Sequence, residues 1–345
     1  MKKLLLLFLS STTFVSAQVL LEENFNSLTV GDVSTEIAGT TPGQGDFLFF
    51  ASNGTAPTTS TNALASNAQI VDSGNESLGL QIEGPNGNKG SRYMWKDGFA
   101  DLWSGRTVDN EIIELELDIN PGDGTTASRN TFGAYIFNAA GDRILAGFHV
   151  RAATRELFLV AYSTPTGNPV GNYNYSLAAA PGIQIPESTF SRIGVSYNKT
   201  TGEVIIKGPG IDPAGLSLTS SSPATDPAEI DFVSFSGNTT AIPNTLEATM
   251  VMDNLVVRAS ATDTLLGVSE ITNVSFGVSP NPAKDVVTIT SDEVVNSVEL
   301  FDINGRTVLS IEGSNQINVS DLSSGIYMMK IASDKGTATK KLVVE

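Results

Sequence analysis

The chain has 345 residues, no cysteine and a single histidine, and its 37 acidic side chains against 20 basic ones give a formal net charge of −17. This acidity argues against nucleic acid and anionic lipid as partners, because both are bound mainly through lysine and arginine. Multi-histidine zinc sites and thiol catalysis are excluded by the same composition. Because the chain has no cysteine, disulfides cannot stabilise it outside the cell, and its stability must come from its hydrophobic core.

The first residues read as a secretory signal peptide, residues 1–17. Lys2 and Lys3 supply the charged start, Leu4–Leu9 the apolar stretch, and Val15-Ser16-Ala17 a cleavage site of small residues. We therefore expect the mature chain to begin at Gln18. The apolar stretch is shorter than the ~20 residues of a membrane-spanning helix, and no later stretch reaches that length, so no transmembrane segment is predicted.

Residues 18–258 form one long stretch in which short apolar runs alternate with turns. Within each run apolar and polar residues alternate with a period of two, as in strands with one face in a core. No segment shows a capped apolar stripe of helical period. The stretch is long enough for one large core, so we predict that it is an all-β domain, a large jelly-roll β-sandwich. We call residues 18–258 the cargo domain. The predicted strands include residues 77–82, 111–119, 131–137, 144–150, 156–161, 191–197, 203–207, 229–236 and 249–257.

Residues 191–207 contain two alternating strands joined by the turn Asn198-Lys199-Thr200-Thr201-Gly202. This hairpin resembles one that is common in concanavalin-like and laminin-G-like jelly rolls. Glu23-Asn24-Phe25 and Met252–Val257 are similar to the first and last strands of such modules. The resemblance implies a concanavalin-like sandwich for the cargo domain.

Aromatic residues cluster between positions 92 and 103, which include both tryptophans of the chain. Flat rings stack on the apolar faces of sugars, and charged neighbours bond the hydroxyls. The alternative is that the tryptophans fill the open end of the sandwich. The candidate ligand-binding residues are Arg92, Tyr93, Trp95, Phe99 and Trp103.

Three carboxylates, Glu114, Glu116 and Asp118, alternate with apolar residues, so a strand places all three on one face. Same-face neighbours lie about 6.5–7 Å apart, near the ~5–5.5 Å that separates the carboxylates of retaining glycosidases. The run resembles the Glu-X-Asp-X-Glu strand of laminarinase-like glycoside hydrolases, although the order here is Glu-X-Glu-X-Asp. These residues are candidate catalytic groups. The alternative is a solvated sheet face.

A structural Ca²⁺ is possible where the first and last strands of the cargo meet. Glu22, Glu23 and Asp253 would supply oxygen ligands there, but Ca²⁺ takes six to eight oxygens, so these carboxylates alone do not define a site. His149, the one histidine, lies in an alternating strand, and we interpret it as a structural residue on the sheet face.

Residues 259–273 are polar and are predicted to be a linker. They contain Asp263-Thr264-Leu265, which resembles the Asp-Ser/Thr-apolar site of bacterial O-glycosylation. Residues 274–345 again alternate in short, β-branched runs bounded by turn residues, so we predict a second, small immunoglobulin-like β-sandwich.

Four ordered motifs in the last segment resemble the type A C-terminal sorting domain of proteins exported by the type IX secretion system. The residues that carry this resemblance are Pro280, Asn281, Pro282, Gly305, Gly325, Tyr327, Lys340 and Lys341. The resemblance implies recognition by the type IX secretion machinery, passage through the periplasm, and release or attachment at the outer-membrane surface. An ordinary immunoglobulin-like module is the alternative.

The sequence therefore predicts a secreted or cell-surface protein whose cargo domain binds a carbohydrate or another surface polymer. Two alternatives remain open. One is a polysaccharide hydrolase or lyase that uses the carboxylates of residues 114–118, and the other is a structural surface or biofilm adhesin.

Overall fold

The structure, a computed structural model, describes residues 17–52, 62–74, 77–237, 242–266, 277–291, 295–302, 306–333 and 336–344. The chain divides into two compact units, Met1–Leu266 and Gly267–Glu345. Residues 1–16 of the predicted signal peptide lie outside the described residues. No helix in the described ranges is both long enough and apolar enough to cross a membrane.

Within the described residues, the first unit consists of strands, one short α-helix and two 3-10 helices. The strands are β1 (Gln18–Glu23), β2 (Gly31–Asp32), β3 (Leu48–Ala51), β4 (Ala68–Gly74), β5 (Ser77–Glu83), β6 (Ser91–Trp95), β7 (Ile112–Asn120), β8 (Thr131–Asn138), β9 (Ile144–Arg151), β10 (Leu157–Ser163), β11 (Gly171–Ser176), β12 (Ser191–Asn198), β13 (Glu203–Lys207), β14 (Leu216–Thr219), β15 (Pro227–Phe235) and β16 (Thr249–Ser260). The α-helix is α1 (Phe99–Ser104), and the 3-10 helices cover Gln44–Asp46 and Ala65–Asn67.

Antiparallel pairing joins these strands into two sheets. The nine-stranded sheet has the order β14-β13-β12-β7-β16-β5-β4-β2, with β1 paired to β16 at its side. The seven-stranded sheet has the order β11-β10-β9-β8-β15-β6-β3. The structure confirms the predicted all-β sandwich.

The core of the first unit lies between the two sheets, where each central strand contributes every second side chain. On β7, Ile113, Leu115 and Leu117 are fully buried, and Phe132 and Ile136 of β8 meet the same core from the opposite sheet. Burying each such side chain contributes about 1.5–3 kcal/mol. Because the period is two, the intervening residues point to the outer face of their sheet.

The chain after β16 stays with the first unit. Leu265 is fully buried, and a Cβ on Gly194 of β12 would come within 2.7 Å of it, so the missing side chain of that glycine makes room for the leucine. We call residues 263–266 the strap. The structure thus differs from the predicted linker over residues 259–266, which end β16 and pack on the nine-stranded sheet, while residues 267–273 lie outside the described residues.

The second unit consists of two further antiparallel sheets in its described part. Its strands are β17 (Gly277–Ser279), β18 (Val286–Thr290), β19 (Val295–Phe301), β20 (Thr307–Glu312), β21 (Gln316–Asn318), β22 (Gly325–Ser333) and β23 (Gly336–Val344). Their order is β17-β18-β21 in one sheet and β20-β19-β22-β23 in the other. Val287, Ile317, Val298 and Ile331, two from each sheet, belong to one buried cluster, as the prediction of a second small β-sandwich requires.

Candidate functional site

The outer face of the seven-stranded sheet carries a second group of apolar side chains, separate from the core between the sheets. Tyr135, Phe137, Ile144, Val160 and Val233 form this buried cluster, with Tyr93 and Phe235 packed against it. A sheet face that meets water is ordinarily polar, so this apolar cluster distinguishes the outer face of the seven-stranded sheet.

Ring contacts connect four strands of this face. Tyr93 of β6 lies edge-on to Phe235 of β15 at 5.3 Å between centroids, and Phe235 stacks on Tyr135 of β8 at 5.7 Å. Phe50 of the edge strand β3 approaches Tyr93 at 6.2 Å and is 36% exposed. Offset and edge-to-face arrangements of this kind are the favourable ones for aromatic pairs.

Trp95, the next outward residue of β6 after Tyr93, stands opposite Asp231 of β15 in the strand register. A Cβ on Gly39 would lie 2.5 Å from the Trp95 ring, so the glycine, at φ +70°, allows the loop to support the indole. The indole Nε1 donates to Asp97 at 3.2 Å. The tryptophan is therefore held in position while part of its surface remains open.

Two cavities run along this face and share Tyr93, Phe137 and Gly141. The larger, of about 510 Å³, extends over Tyr135, His149, Arg151 and Asn174. The smaller, of about 260 Å³, is lined by Phe50, Trp95, Glu229 and Asp231 in addition to the shared residues. We call the two together the groove. The larger cavity has the volume of a small-ligand site, about 300–1,000 Å³, and the smaller one lies just below that range.

Glu229 and Asp231 of β15 form a carboxyl pair at one end of the groove. Burial, with the charge and the hydrogen bond of Glu229, raises the pKa of Asp231 well above its ordinary range. Burial and the charge of Asp97 also raise the pKa of Glu229, although its hydrogen bond with Asp231 opposes the rise. Both pKa shifts therefore favour the protonated form of the carboxyl. Oδ1 of Asp231 has no hydrogen-bond partner among the described residues.

Tyr135 and His149 are hydrogen-bonded to each other under the larger cavity. The tyrosine hydroxyl and His149 Nδ1 are 2.9 Å apart, and both side chains are almost fully buried. Burial and the charge of Arg151 lower the pKa of His149 to about 3, so the imidazole is neutral at physiological pH. The placement of His149 on a sheet face agrees with its interpretation from the sequence.

Three of the predicted ligand-binding residues lie away from the groove. Arg92 is fully buried, where it donates to the carbonyl oxygens of Ser52, Glu83 and Asn62, and burial lowers its pKa to about 10. Its neighbours in sequence, Tyr93 and Trp95, point the opposite way because they belong to the other face of β6.

Phe99 and Trp103 also belong to the core. They are four residues apart on α1, so they share one helix face, and each is only 2% exposed. The Trp103 indole donates to Asp226 at 2.8 Å and is covered by Arg106. Trp103 therefore packs inside the fold, as the alternative to sugar contact predicted for both tryptophans, whereas Trp95 lines the groove.

The predicted catalytic carboxylates lie on the outer face of the nine-stranded sheet, on the other side of the sandwich from the groove. Both oxygens of Glu114 accept hydrogen bonds from the strap, one from the Thr264 amide and one from its hydroxyl at 2.6 Å. Burial raises the pKa of Glu114, although Thr264 opposes this. Thr264, the predicted O-glycosylation residue, thus has its hydroxyl engaged.

Glu116 and Asp118 are bound by arginines. Glu116 accepts hydrogen bonds from Arg258 at 2.7 Å and from Arg192 at 3.1 Å. Asp118 accepts hydrogen bonds from Arg192 and from the side-chain amide of Asn254. Burial alone would raise the pKa of Glu116, but the hydrogen bond and charge of Arg258 hold it below its ordinary value. This face is neither a solvated surface nor an open cleft, because the strap and two arginines occupy it.

The predicted cation site at the meeting of β1 and β16 has other partners. Glu23 binds Lys96 at 2.7 Å, Asp253 accepts from Ser77, and Glu22 is exposed. In the part of the chain that the structure describes, no three histidine or acidic side chains come together in a metal-binding group. A structural Ca²⁺ stays a prediction.

The sorting motifs come together in the second unit. Asn281, between Pro280 and Pro282, donates to the Lys341 carbonyl at 2.8 Å and accepts from the Val343 amide at 2.9 Å. The motifs at the two ends of this segment are thus joined. Tyr327 donates to the carbonyl of Ser323, Gly325 begins β22, and Lys340 and Lys341 are exposed on β23. Gly305 lies outside the described residues.

Sequence reasoning missed Glu229 and Asp231. They have the same two-residue spacing as the acidic residues of β7, within a run that was predicted as a strand. The alternation of acidic residues that identified Glu114, Glu116 and Asp118 would therefore have identified Glu229 and Asp231 too. Nothing in the local sequence shows which of the two strands has basic partners.

Comparison with known families supports the export route. Residues 277–345 match the family described as Secretion system C-terminal sorting domain. This match confirms the type IX sorting domain predicted from the four motifs. The chain is therefore exported, and it acts at the cell surface or outside the cell.

Comparisons with whole proteins give only distant likenesses. No curated protein sequence matches the chain. An alginate lyase from Aplysia kurodai is similar at 8% identity, covering 70% of this chain and 99% of that one, with a TM-score of 0.45. An alginate lyase from a Chlorella virus is similar at 12% identity, covering 56% and 88%, with a TM-score of 0.40. LamAcat from Zobellia galactanivorans is similar at 11% identity, covering 70% and 97%, with a TM-score of 0.41.

Proposed function

We propose that the exported first unit binds a glycan chain in the groove on the outer face of the seven-stranded sheet. The observation that carries this proposal is a continuous depression with an aromatic floor, which includes Tyr93 and Trp95, on a sheet face outside the core. Aromatic rings with a few fixed polar groups are the usual lining of sites for small organic ligands.

The polar groups of the groove support a sugar rather than an apolar ligand. Asn174 is exposed on β11 at one end of the face, and the carboxyl pair of Glu229 and Asp231 lies at the other. Donors and acceptors at both ends suit a chain that carries hydroxyl groups along its length. The extracellular location places the groove where such polymers occur.

A glycan array is the direct test, with neutral, acidic and amino-containing oligosaccharides. We expect wild-type protein to bind a subset of these and Trp95→Ala to bind them roughly tenfold more weakly, the effect of losing about 1.4 kcal/mol of ring stacking. Trp103→Phe is the matched control, because it changes the other tryptophan, which is buried in the core, and should bind normally.

Two results would refute glycan binding in the groove. One is an array on which wild-type protein binds nothing. The other is an equal loss of binding in Trp95→Ala and Trp103→Phe when both have wild-type circular dichroism spectra. Such a result would mean that binding does not depend specifically on the groove.

A further inference from the structure

One end of the groove combines aromatic rings with acidic side chains that have no ion-pair partner among the described residues. Phe50, Tyr93 and Trp95 line the smaller cavity together with Glu229 and Asp231. Asp97 holds the Trp95 indole beside them and acts electrostatically on Glu229. Two acidic residues, Glu229 and Asp231, and four rings, which include Phe137, therefore line a space of about 260 Å³, and Asp97 lies beside it.

No described lysine or arginine forms an ion pair with either carboxyl of the pair. Lys96, which lines a neighbouring cavity together with Glu229, is bound to Glu23 at 2.7 Å and lies over the Phe47 ring. Asp231 is 3% exposed, and its Oδ1 has no hydrogen-bond partner among the described residues. A buried acceptor left without a donor is destabilising, so a ligand that brings a donor to this oxygen binds more tightly than one that does not.

Ligand classes can be separated by what these groups offer. A hard metal ion takes six or more oxygen ligands, whereas this end of the groove supplies two adjacent carboxyls and aromatic rings. Among the described residues, no three acidic or histidine side chains come together as a metal site would require. A neutral hydroxyl needs only one acceptor. An ammonium group donates three hydrogen bonds, is neutralised by the carboxyl pair, and is attracted to the faces of aromatic rings.

We propose that this end of the groove binds the ammonium group of an amino sugar, so that the ligand is a glycan with free, unacetylated amines. The inference rests on the proposed function and specifies its ligand class. The ammonium group lies between Glu229 and Asp231, its sugar ring packs on Trp95 and Tyr93, and the rest of the chain follows the groove toward Asn174.

A matched pair of ligands tests the ligand class on wild-type protein. β-1,4-linked glucosamine oligomers and their N-acetylated counterparts differ only at the amine, and calorimetry in a slightly acidic buffer keeps the free amines protonated. We expect the free-amine oligomer to bind roughly tenfold more tightly, or about 1.4 kcal/mol. Equal affinity, tighter binding of the acetylated form, or binding of neither oligomer would overturn the amino-sugar assignment. Glycan binding itself would stand or fall separately, on the array.

Two double variants separate the site from the general negative charge of the chain. Glu229→Gln with Asp231→Asn removes the charge of the pair, and we expect it to abolish the preference for free amines. Glu203→Gln with Glu247→Gln removes two exposed carboxylates elsewhere and should keep that preference. Loss of the preference in both double variants, or in neither, would contradict a site at Glu229 and Asp231.

Discussion

β7 and β15 each place acidic residues at every second position on the outer face of a sheet, yet the two faces have opposite surroundings. On β7, Glu116 is bound by Arg258 and Arg192, and the strap covers Glu114. On β15, no described lysine or arginine forms an ion pair with Glu229 or Asp231, and the acidic Asp97 acts on Glu229.

This difference shows what a strand of alternating carboxylates can and cannot indicate. Where basic side chains and backbone amides satisfy every oxygen, the carboxylates stabilise the fold and are closed to ligands. Where a carboxyl is buried without a donor, the fold is less stable than it could be, and a binding site is the explanation that we favour. The partners, rather than the spacing, distinguish the two strands.

The largest expected effect is the loss of a central carboxylate on β7. Glu116→Ala removes the carboxylate that binds both Arg258 and Arg192 and leaves them only Glu114 at 3.8 Å and Asp118 at 3.3 Å, so we expect the free energy of unfolding to fall by about 2–4 kcal/mol in urea titrations. Glu203→Ala, an exposed strand carboxylate, should change it by no more than about 0.5 kcal/mol. A Glu116→Ala variant as stable as this control would mean that the β7 face is not held together by its ion pairs.

The strap gives the second effect. Leu265→Ala removes a fully buried side chain that lies against Gly194, and we expect it to cost about 2–3 kcal/mol and to expose residues 263–266 to limited proteolysis. Leu246→Ala, at a leucine that is 45% exposed, is the control and should leave cleavage unchanged. If both variants are cleaved at the same rate, the strap does not cover the β7 face in solution.

The two faces should respond to pH with opposite sign. The pKa of Asp231 is raised, so its contribution to stability is present below the ordinary carboxyl pKa and is lost as pH rises through the folded value. The pKa of Glu116 is lowered, so its contribution is lost as pH falls through the folded value. Relative to wild type, Asp231→Asn should therefore gain stability as pH rises above about 4, whereas Glu116→Gln should gain stability as pH falls below about 4. Urea midpoints measured across this range check both signs, and parallel profiles for the two variants would contradict the comparison.

The smallest effect concerns the support of Trp95. Gly39→Ala places a Cβ about 2.5 Å from the indole, so the ring must move, and we expect glycan affinity to fall severalfold. Gly74→Ala is the matched control, since Gly74 also has a positive φ, of 92°, but has open space around it. Both variants should lose similar stability, and only the first should lose affinity in calorimetry. Equal affinities would show that the position of Trp95 is unimportant.

Much of the fold could be predicted because it depends on local patterns. The alternation of Ile113, Leu115 and Leu117 indicates a half-buried strand without knowledge of its neighbours, and β7 begins and ends within one residue of the predicted run. The sorting motifs were recognisable for the same reason. The helical spacing of Phe99 and Trp103 was present too, but α1 is too short to show the repeated stripe that identifies a helix.

The sequence could not show that the groove, rather than the β7 face, is the candidate site, because the contacts that close the β7 face are distant in sequence. Glu114 meets Thr264, 150 positions further along the chain, and Glu116 meets Arg258 across 142 positions. The polar edge strand β11, which brings Asn174 to the groove, has no apolar alternation beyond Tyr173 and Tyr175 and was not among the predicted strands.

Tryptophan fluorescence tests the central claim that the groove, and not the β7 face or the α1 core, is the binding surface. Trp103→Phe retains only Trp95, and Trp95→Phe retains only Trp103. When each is titrated with the oligosaccharide that binds best on the array, the emission of Trp103→Phe should shift and saturate, while that of Trp95→Phe stays constant. A saturable change in Trp95→Phe, with none in Trp103→Phe, would contradict the account.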